Sequence, residues 1–332
     1  MTRIFSGIKP TGHMTLGNYL GAVRQWVAAD QEPDDALFCV VDLHALTVEH
    51  EPARVRRLSR QAATLLIAAG LDPRRCTLFV QSHVDEHTRL AYLLECTATD
   101  GELRRMIQYR EKAAKAQAAG DGVRLSLLTY PVLMAADILA YGAGEVPVGD
   151  DQRQHVELTR DLAVRFNQRY GHTFTVPQAT HPAVAARVMD LQDPTSKMGK
   201  SHENGAGIVY LLDEPEVVRR KVMRAVTDSG DGAVVHDRET RPGVANLLDI
   251  LAACTGGDPA ALAEGYSGYG ALKRDVADAV VELLRPLRQR HAELAADPAQ
   301  VDEVLREGAE RARGLARPVV DRAYEAIGLL RP

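Results

Sequence analysis

Arg3-Ile4-Phe5-Ser6-Gly7-Ile8 runs into Lys9-Pro10-Thr11-Gly12-His13-Met14 and then into Thr15-Leu16-Gly17-Asn18. An apolar run of strand length, a turn rich in glycine and proline and a helical pattern after it read as the first βα unit of a parallel sheet. The alternation repeats outward: helix over 16–29, strand over 36–42, helix over 52–69 and strand over 77–82. A sheet built this way carries helices on both faces and offers ligands a place at the carboxyl ends of its strands. The pattern then turns helical over 86–97, 101–118 and 131–141, and strands at 145–148 and 186–191 flank a helix over 152–170. Past a polar, glycine-containing loop at 192–207, helices are expected over 214–226, 244–254, 270–296 and 299–327, with Pro318 ending or kinking the last.

The 332 residues, 45% hydrophobic and 26% charged, suit a folded chain of more than one average domain and exclude a small disulfide scaffold or a disordered one. No apolar run approaches the roughly 20 residues that span a bilayer. The chain enters its first strand without the basic, apolar and small-residue order of a secretory leader, so a cytoplasmic location and no membrane partner are expected. Cys39, Cys76, Cys96 and Cys254 form no C-x-x-C pair and read as reduced thiols. A net charge of −5 argues against bulk electrostatic binding of nucleic acid and leaves room for a local basic strip. Arginine fills nearly every basic position; lysine survives seven times, and Lys9, Lys112, Lys115, Lys197 and Lys200 cluster in three short segments. A compact ammonium suits a phosphate, although codon bias with chance clustering also gives this pattern.

Two segments could carry chemistry. In Gly7–Asn18 the glycines let backbone approach a ligand and the helix start offers N–H groups to an anion. It matches neither G-x-G-x-x-G nor a Walker loop, and a tight turn with a capped helix is the alternative. In Asp193-Pro194-Thr195-Ser196-Lys197-Met198-Gly199-Lys200-Ser201 two lysines flank a glycine and could swing onto a polyphosphate; a solvated basic loop is the alternative. His83-Val84-Asp85-Glu86-His87 matches H-x-x-E-H, but a zinc site of that kind needs both histidines on one helix, and His83 follows a strand directly. No metal-binding residue is assigned.

Thr15-Leu16-Gly17-Asn18 is similar to the HIGH signature, and Lys197-Met198-Gly199-Lys200-Ser201 to KMSKS, the pair that defines class I aminoacyl-tRNA synthetases. Phe5-Ser6-Gly7-Ile8, Val41-Asp42-Leu43-His44-Ala45, Leu128-Thr129-Tyr130-Pro131 through Ala140, and Val146-Pro147-Val148-Gly149-Asp150-Asp151-Gln152 resemble the bacterial tryptophanyl-tRNA synthetases in order and spacing over essentially the whole chain. The resemblance implies an α/β fold with a Rossmann-like parallel-sheet catalytic domain over 1–193. The KMSKS-type loop follows at 194–207, and a mainly helical anticodon-binding domain covers 208–332, its last helix packing back on the catalytic domain. It implies a tryptophan–tRNA ligase using ATP with Mg²⁺, tRNA(Trp) as partner, a homodimer and no separate editing domain.

Tryptophan is favoured over tyrosine by the helix at 131–141, which is apolar apart from Asp137. A buried carboxylate needs a donor, and the indole N–H only donates, so Asp137 would accept from it. Phe5, Val41, Met134, Ile138, Val146 and Val148 would wall the ring. The tyrosine relatives resemble Tyr-x-x-x-Gln-x-x-Asp, whereas this chain has Tyr130-x-x-x-Met134-x-x-Asp137. A helix acid paired with a neighbouring arginine is the other reading of Asp137. The family further implies that Tyr130 and Gln152 hold the substrate ammonium, with His44 near the substrate's polar end. Asp151 would meet the ATP ribose, and Lys112 would reach the phosphates. Thr15, Lys112, Lys197 and Lys200 would be catalytic, and Lys9, Gly12, Gly17, Asn18, Gly149, Met198, Gly199 and Ser201 would complete the ATP site. Many bacterial relatives carry Gln where Lys9 stands, so Lys9 is expected to add a phosphate contact or to alter sensitivity to tryptophan analogues. Gly199 replaces the signature's serine and adds backbone freedom. A tyrosine-specific enzyme of this fold and a catalytically impaired tryptophan sensor are the alternatives.

Overall fold

The computed structural model describes residues 3–28, 35–149, 152–180, 187–199, 205–228 and 233–330. The chain order is β1 (Ile4–Ile8), α1 (Leu16–Asn18), a π-helical turn (Tyr19–Val23), α2 (Arg24–Ala28), β2 (Ala36–Val40), α3 (Asp42–Ala45), α4 (Pro52–Ala68) and β3 (Thr77–Val80). After β3 come a 3₁₀ turn (Gln81–His83), α5 (Glu86–Glu95), α6 (Asp100–Arg104), α7 (Ile107–Ala118), α8 (Leu125–Leu139), β4 (Glu145–Pro147), α9 (Arg153–Tyr170) and β5 (Gln178–Thr180). The remainder is helical: a 3₁₀ turn (Gly205–Gly207), α10 (Pro215–Met223), α11 (Pro242–Thr255), α12 (Pro259–Ala263), α13 (Tyr269–Ala296) and α14 (Pro298–Ala326).

The five strands form one sheet in the order β3-β2-β1-β4-β5, and every pairing is parallel. Side chains alternate between two cores, as a pleated sheet requires. Ile8, Phe38, Val40, Leu78 and Val80 join a core shared with α4, α10, α11 and α13. Phe5, Leu37, Cys39 and Phe79 join a second core with α5, α8, α9 and α14. The strand order reverses between β1 and β4, which is where an open parallel sheet leaves a crevice for ligands.

α14 covers the edge strand β3. Its Gly308 lies so close that a Cβ there would stand 1.8 Å from the Leu78 carbonyl oxygen. Arg311 donates to the Pro73 carbonyl, Arg313 Nε to the His83 carbonyl at 3.0 Å, and Arg317 Nε lies 3.4 Å from Glu86 Oε1.

Several expectations are corrected. No strand forms over 187–191; Met189 makes an isolated antiparallel bridge to Lys197, and Ala186 lies outside the described residues. The fifth strand is Gln178–Thr180, three residues without an apolar run. The helix expected over 101–118 breaks at Arg105 and Met106 into α6 and α7. The helix expected from Pro131 begins at Leu125 and carries Pro131 in its interior, and Pro318 does not end α14. A proline inside a helix costs about 3 kcal/mol. In α8 it is offset by burial of Leu127, Leu128, Val132, Ala135, Ile138 and Leu139, and in α14 by Ala316, Val319, Val320 and Ala323. Within 16–28 the helix is interrupted by the π turn Tyr19–Val23. α12 was not anticipated; Asp258 caps it, accepting from Ala260 N and Ala261 N. Among the described residues no helix is long and apolar enough to cross a membrane.

Gly308→Ala should force α14 off the β3 backbone and lower stability by about 1–3 kcal/mol, measured by urea unfolding. An unchanged midpoint would show that the contact yields without cost.

Candidate active site

A cavity of about 430 Å³ opens at the carboxyl ends of β1 and β4, within the roughly 300–1,000 Å³ of small-molecule sites. Every residue expected to hold the amino acid lines it: Phe5, Val41, His44, Tyr130, Met134, Asp137, Ile138, Val146, Val148 and Gln152. Lys9, Asn18, Gly149 and Lys112 line it too. The cavity wall does not include Gly12, Thr15, Gly17, Lys197, Met198 or Gly199. Asp151, Lys200 and Ser201 lie outside the described residues.

Helical spacing on α8 places Tyr130, Met134 and Asp137 on one face. Asp137 is 1% exposed, and three side chains donate to it. His44 Nε2–H reaches Oδ2 at 2.9 Å, His87 Nδ1–H reaches Oδ1 at 2.5 Å, and the Gln81 amide spans both oxygens at 2.8 Å. Burial pushes the carboxyl up, but the His87 imidazole beside it and the hydrogen bonds from His44 and His87 outweigh this and leave it lowered to about 2. Among the described residues no arginine pairs with it, and its partners are two histidines and a glutamine in place of the helix arginine of the other reading. His44, expected beside the substrate's polar end, spends its Nε2–H here.

The other end of the cavity is cationic. Lys9 Nζ donates to Thr47 Oγ1 at 3.1 Å, and Lys112 Nζ bonds Gln108 Oε1 at 3.3 Å while standing 5.4 Å from the Tyr130 ring centroid. Burial, with the neighbouring Lys112 charge second, lowers the Lys9 ammonium to about 8. The Tyr130 hydroxyl bonds Gln108 Oε1 at 3.2 Å and His155 Nε2 at 2.8 Å, and burial pushes its pKa up.

The two motif segments touch each other. Thr15 caps α1 in a reciprocal box: its hydroxyl accepts from Asn18 N at 3.2 Å, and Asn18 Oδ1 accepts from Thr15 N at 3.1 Å. The same hydroxyl donates to the Met198 carbonyl at 3.3 Å, and a Cβ on Gly17 would stand 3.1 Å from that carbonyl. Thr15 is fully buried and Met198 sits in the core, whereas Lys197 is exposed. Asn246 of α11 anchors the segment before the loop, pairing Met189 N at 2.8 Å and Met189 O at 3.0 Å. Among the described residues no group of three or more His, Cys, Asp or Glu side chains is placed to hold a metal ion. His83 lies in the 3₁₀ turn and His87 on α5.

Sequence reasoning missed Gln81, His87, Tyr141, Gln108, His155 and Thr47. Gln81 carried a usable signal, a polar residue at the carboxyl end of an apolar parallel strand. His87 was noticed as half of a zinc pattern.

The model of the class I tRNA synthetases for tryptophan and tyrosine matches residues 1–285. The chain belongs to this family. Over its full length it is 76% identical to tryptophan–tRNA ligase 1 of Streptomyces coelicolor, covering 98% of that protein. A tryptophanyl-tRNA synthetase from Mycoplasma pneumoniae superposes with a TM-score of 0.90 at 35% identity, covering 99% of this chain and 98% of the other. One from Campylobacter jejuni, complexed with ADP and tryptophan, gives 0.83 at 30% identity, covering 98% and 100%.

In this synthetase the lowered Lys9 pKa makes stability depend on pH. Between about pH 8 and 10.5 the unfolded chain holds a proton that folded Lys9 has released, so burying Lys9 costs stability below pH 8 and the cost fades as pH rises to 10.5. Lys112→Ala should move the Lys9 titration upward from about 8, followed by NMR of labelled lysine. A stationary midpoint would leave burial as the whole cause.

Proposed function

We propose that this synthetase activates L-tryptophan and charges tRNA(Trp). A carboxylate oxygen of tryptophan attacks the α-phosphorus of Mg·ATP, forming tryptophanyl-adenylate and releasing pyrophosphate. A hydroxyl of the tRNA terminal ribose then attacks the acyl carbon and releases AMP. The full-length identity to the Streptomyces coelicolor ligase carries this reading, and the cavity supplies its physical basis.

The indole enters between Phe5, Val41, Met134, Ile138, Val146 and Val148. The indole N–H goes to the Asp137 carboxylate, the acceptor-only group on this wall of the cavity. Tyr130 and Gln152 hold the ammonium at the cavity's polar flank. The phosphates face Lys9 and Lys112, and Gly12, Gly17, Asn18 and Gly149 bring backbone and amide groups to the nucleotide. Asp151 meets the ribose. Thr15 acts through the helix start that it caps, and Lys197 and Lys200, with Met198, Gly199 and Ser201, form the strap that closes on the leaving pyrophosphate. No side chain need be a covalent nucleophile; catalysis is positioning plus stabilisation of developing charge. Mg²⁺ arrives with ATP as part of the substrate and is held mostly by its phosphates.

The region from 208 onward, in the helices α10 to α13, is the part we assign to the anticodon, in a homodimer working in the cytoplasm. Tyr92, Ile107 and Leu125 are exposed apolar side chains in α5, α7 and α8 that a second copy would cover.

ATP–pyrophosphate exchange should depend on tryptophan and not on tyrosine, and tRNA(Trp) should be charged. Exchange with tyrosine would give the tyrosine reading, and tryptophan binding without exchange a sensor. Lys197→Ala should slow adenylate formation by about 100-fold or more with little change in tryptophan affinity; equal losses in both would contradict its role. Sedimentation should give a dimer that Leu125→Asp weakens, and an unaltered dimer would place the interface elsewhere.

A further inference from the structure

We propose that His87 is a positioning residue for tryptophan selection, holding Asp137 from behind so that its carboxylate faces the cavity; this rests on the reading of Asp137 as the acceptor of the indole N–H. The donors to Asp137 divide into front and back. His44 and Asp137 both line the cavity, whereas His87 and Gln81 are wholly buried and do not. Substrate therefore does not line up against His87, and that residue acts on selection through the groups it holds.

Both ring nitrogens of His87 are committed. Nε2 bonds the Tyr141 hydroxyl at 2.6 Å, and Nδ1, facing an acceptor-only carboxylate, donates to Asp137 Oδ1 at 2.5 Å. The terminal torsion of an aspartate is broad, so a carboxylate held at the cavity by His44 alone could turn. A donor on each oxygen, with Gln81 across both, fixes its plane.

Tyr141 ties this clamp to the apolar wall. Its ring stacks on Phe5 with centroids 5.6 Å apart and planes 10° from parallel, and it meets Phe79 edge-on at 5.7 Å. Phe5 lines the cavity on one side and Asp137 on another, and both rest on the Tyr141–His87 pair. One buried pair thus sets the distance between the surface that would stack on an indole and the acceptor that would take its N–H.

The test compares exchange kinetics for tryptophan with those for β-(3-benzothienyl)alanine, a bicyclic of the same shape with sulfur in place of N–H. His87→Leu should raise the tryptophan KM and lower the preference for tryptophan by about tenfold or more, with the benzothienyl substrate and the ATP KM within about threefold. His87→Asn, which keeps a side-chain N–H near the Nδ1 position, should recover most of the preference. Tyr141→Phe retains the stack on Phe5 and loses the hydroxyl that holds Nε2; it should shift the preference the same way by less, and it decides the matter if His87→Leu does not fold. Asp137→Asn separates the two readings. If it leaves the preference untouched, Asp137 does not read the N–H and both fail. If it collapses the preference while the His87 and Tyr141 variants leave the ratio unchanged or depress both substrates equally, His87 is structural and this inference alone is overturned.

Discussion

A carboxylate without solvent on an otherwise apolar helix face is the constraint around which this site is built. Stripping a charge of water costs several kcal/mol unless donors replace the water, and the donors to Asp137 come from three separate elements. His44 stands on α3, directly after β2; Gln81 opens the turn after β3; His87 lies on α5. β2, β3 and α8 must therefore end within hydrogen-bond reach of one another. Leu43 N donates to Gln81 Oε1 at 3.0 Å, and Ser82 N to Asp42 Oδ1 at 2.9 Å, which locks the two strand exits together before either meets Asp137. α14 then fixes the same segment from outside, through Arg313 on the His83 carbonyl and Arg317 beside Glu86. The last helix of the chain is in this sense a buttress of the specificity carboxylate.

The opposite end of the cavity is built on the reverse principle. There two ammonium groups, Lys9 and Lys112, are close enough for the charge of one to lower the pKa of the other. Two ammonium groups this close gain when an anion comes between them, because attraction to the anion is added and their mutual repulsion is screened. Burial first and the Lys112 charge second drive Lys9 towards deprotonation, and a polyphosphate would oppose both by bringing negative charge to the ammonium.

The sheet and the cavity wall were legible because both rest on periodicity and on apolar runs. β2 and β3 announce themselves by apolar runs and β1 by an apolar run broken only at Ser6 and Gly7, and the i, i+4, i+7 spacing of Tyr130, Met134 and Asp137 puts them on one face whatever surrounds the helix. What escaped was set by distant packing. Nothing local in Gln178-Ala179-Thr180 speaks for a strand; it is one because β4 offers it an edge. Pro131 and Pro318 stop helices in isolation, and the apolar faces of α8 and α14 override them. His87 was legible as a residue but not as a partner, since its meaning lies in Tyr141 and Asp137, some 50 positions on.

The helical part of the chain is not an appendage to the sheet. Phe38, Val40 and Leu78 share a continuous core with Val218, Leu247, Leu272 and Val276, while the opposite face of the sheet shares one with Ala309, Ala312 and Val320 of α14. The loop between them is pinned at its base. Leu191 N bonds the Gly207 carbonyl, Met198 N bonds the Val188 carbonyl, and a Cβ on Gly207 would collide with the Asp190 carboxylate at 1.7 Å. Thr15 closes the arrangement by joining the start of α1 to Met198. A displacement of the helices therefore moves the root of the lysine-bearing loop, and that root is hydrogen-bonded to the turn that follows β1. The turn after β1 is also bonded directly to the start of the part we assign to the anticodon, Leu16 N to the Val209 carbonyl and Leu211 N to the Met14 carbonyl, so the nucleotide end of the site, the root of the loop and the helical part share one backbone network.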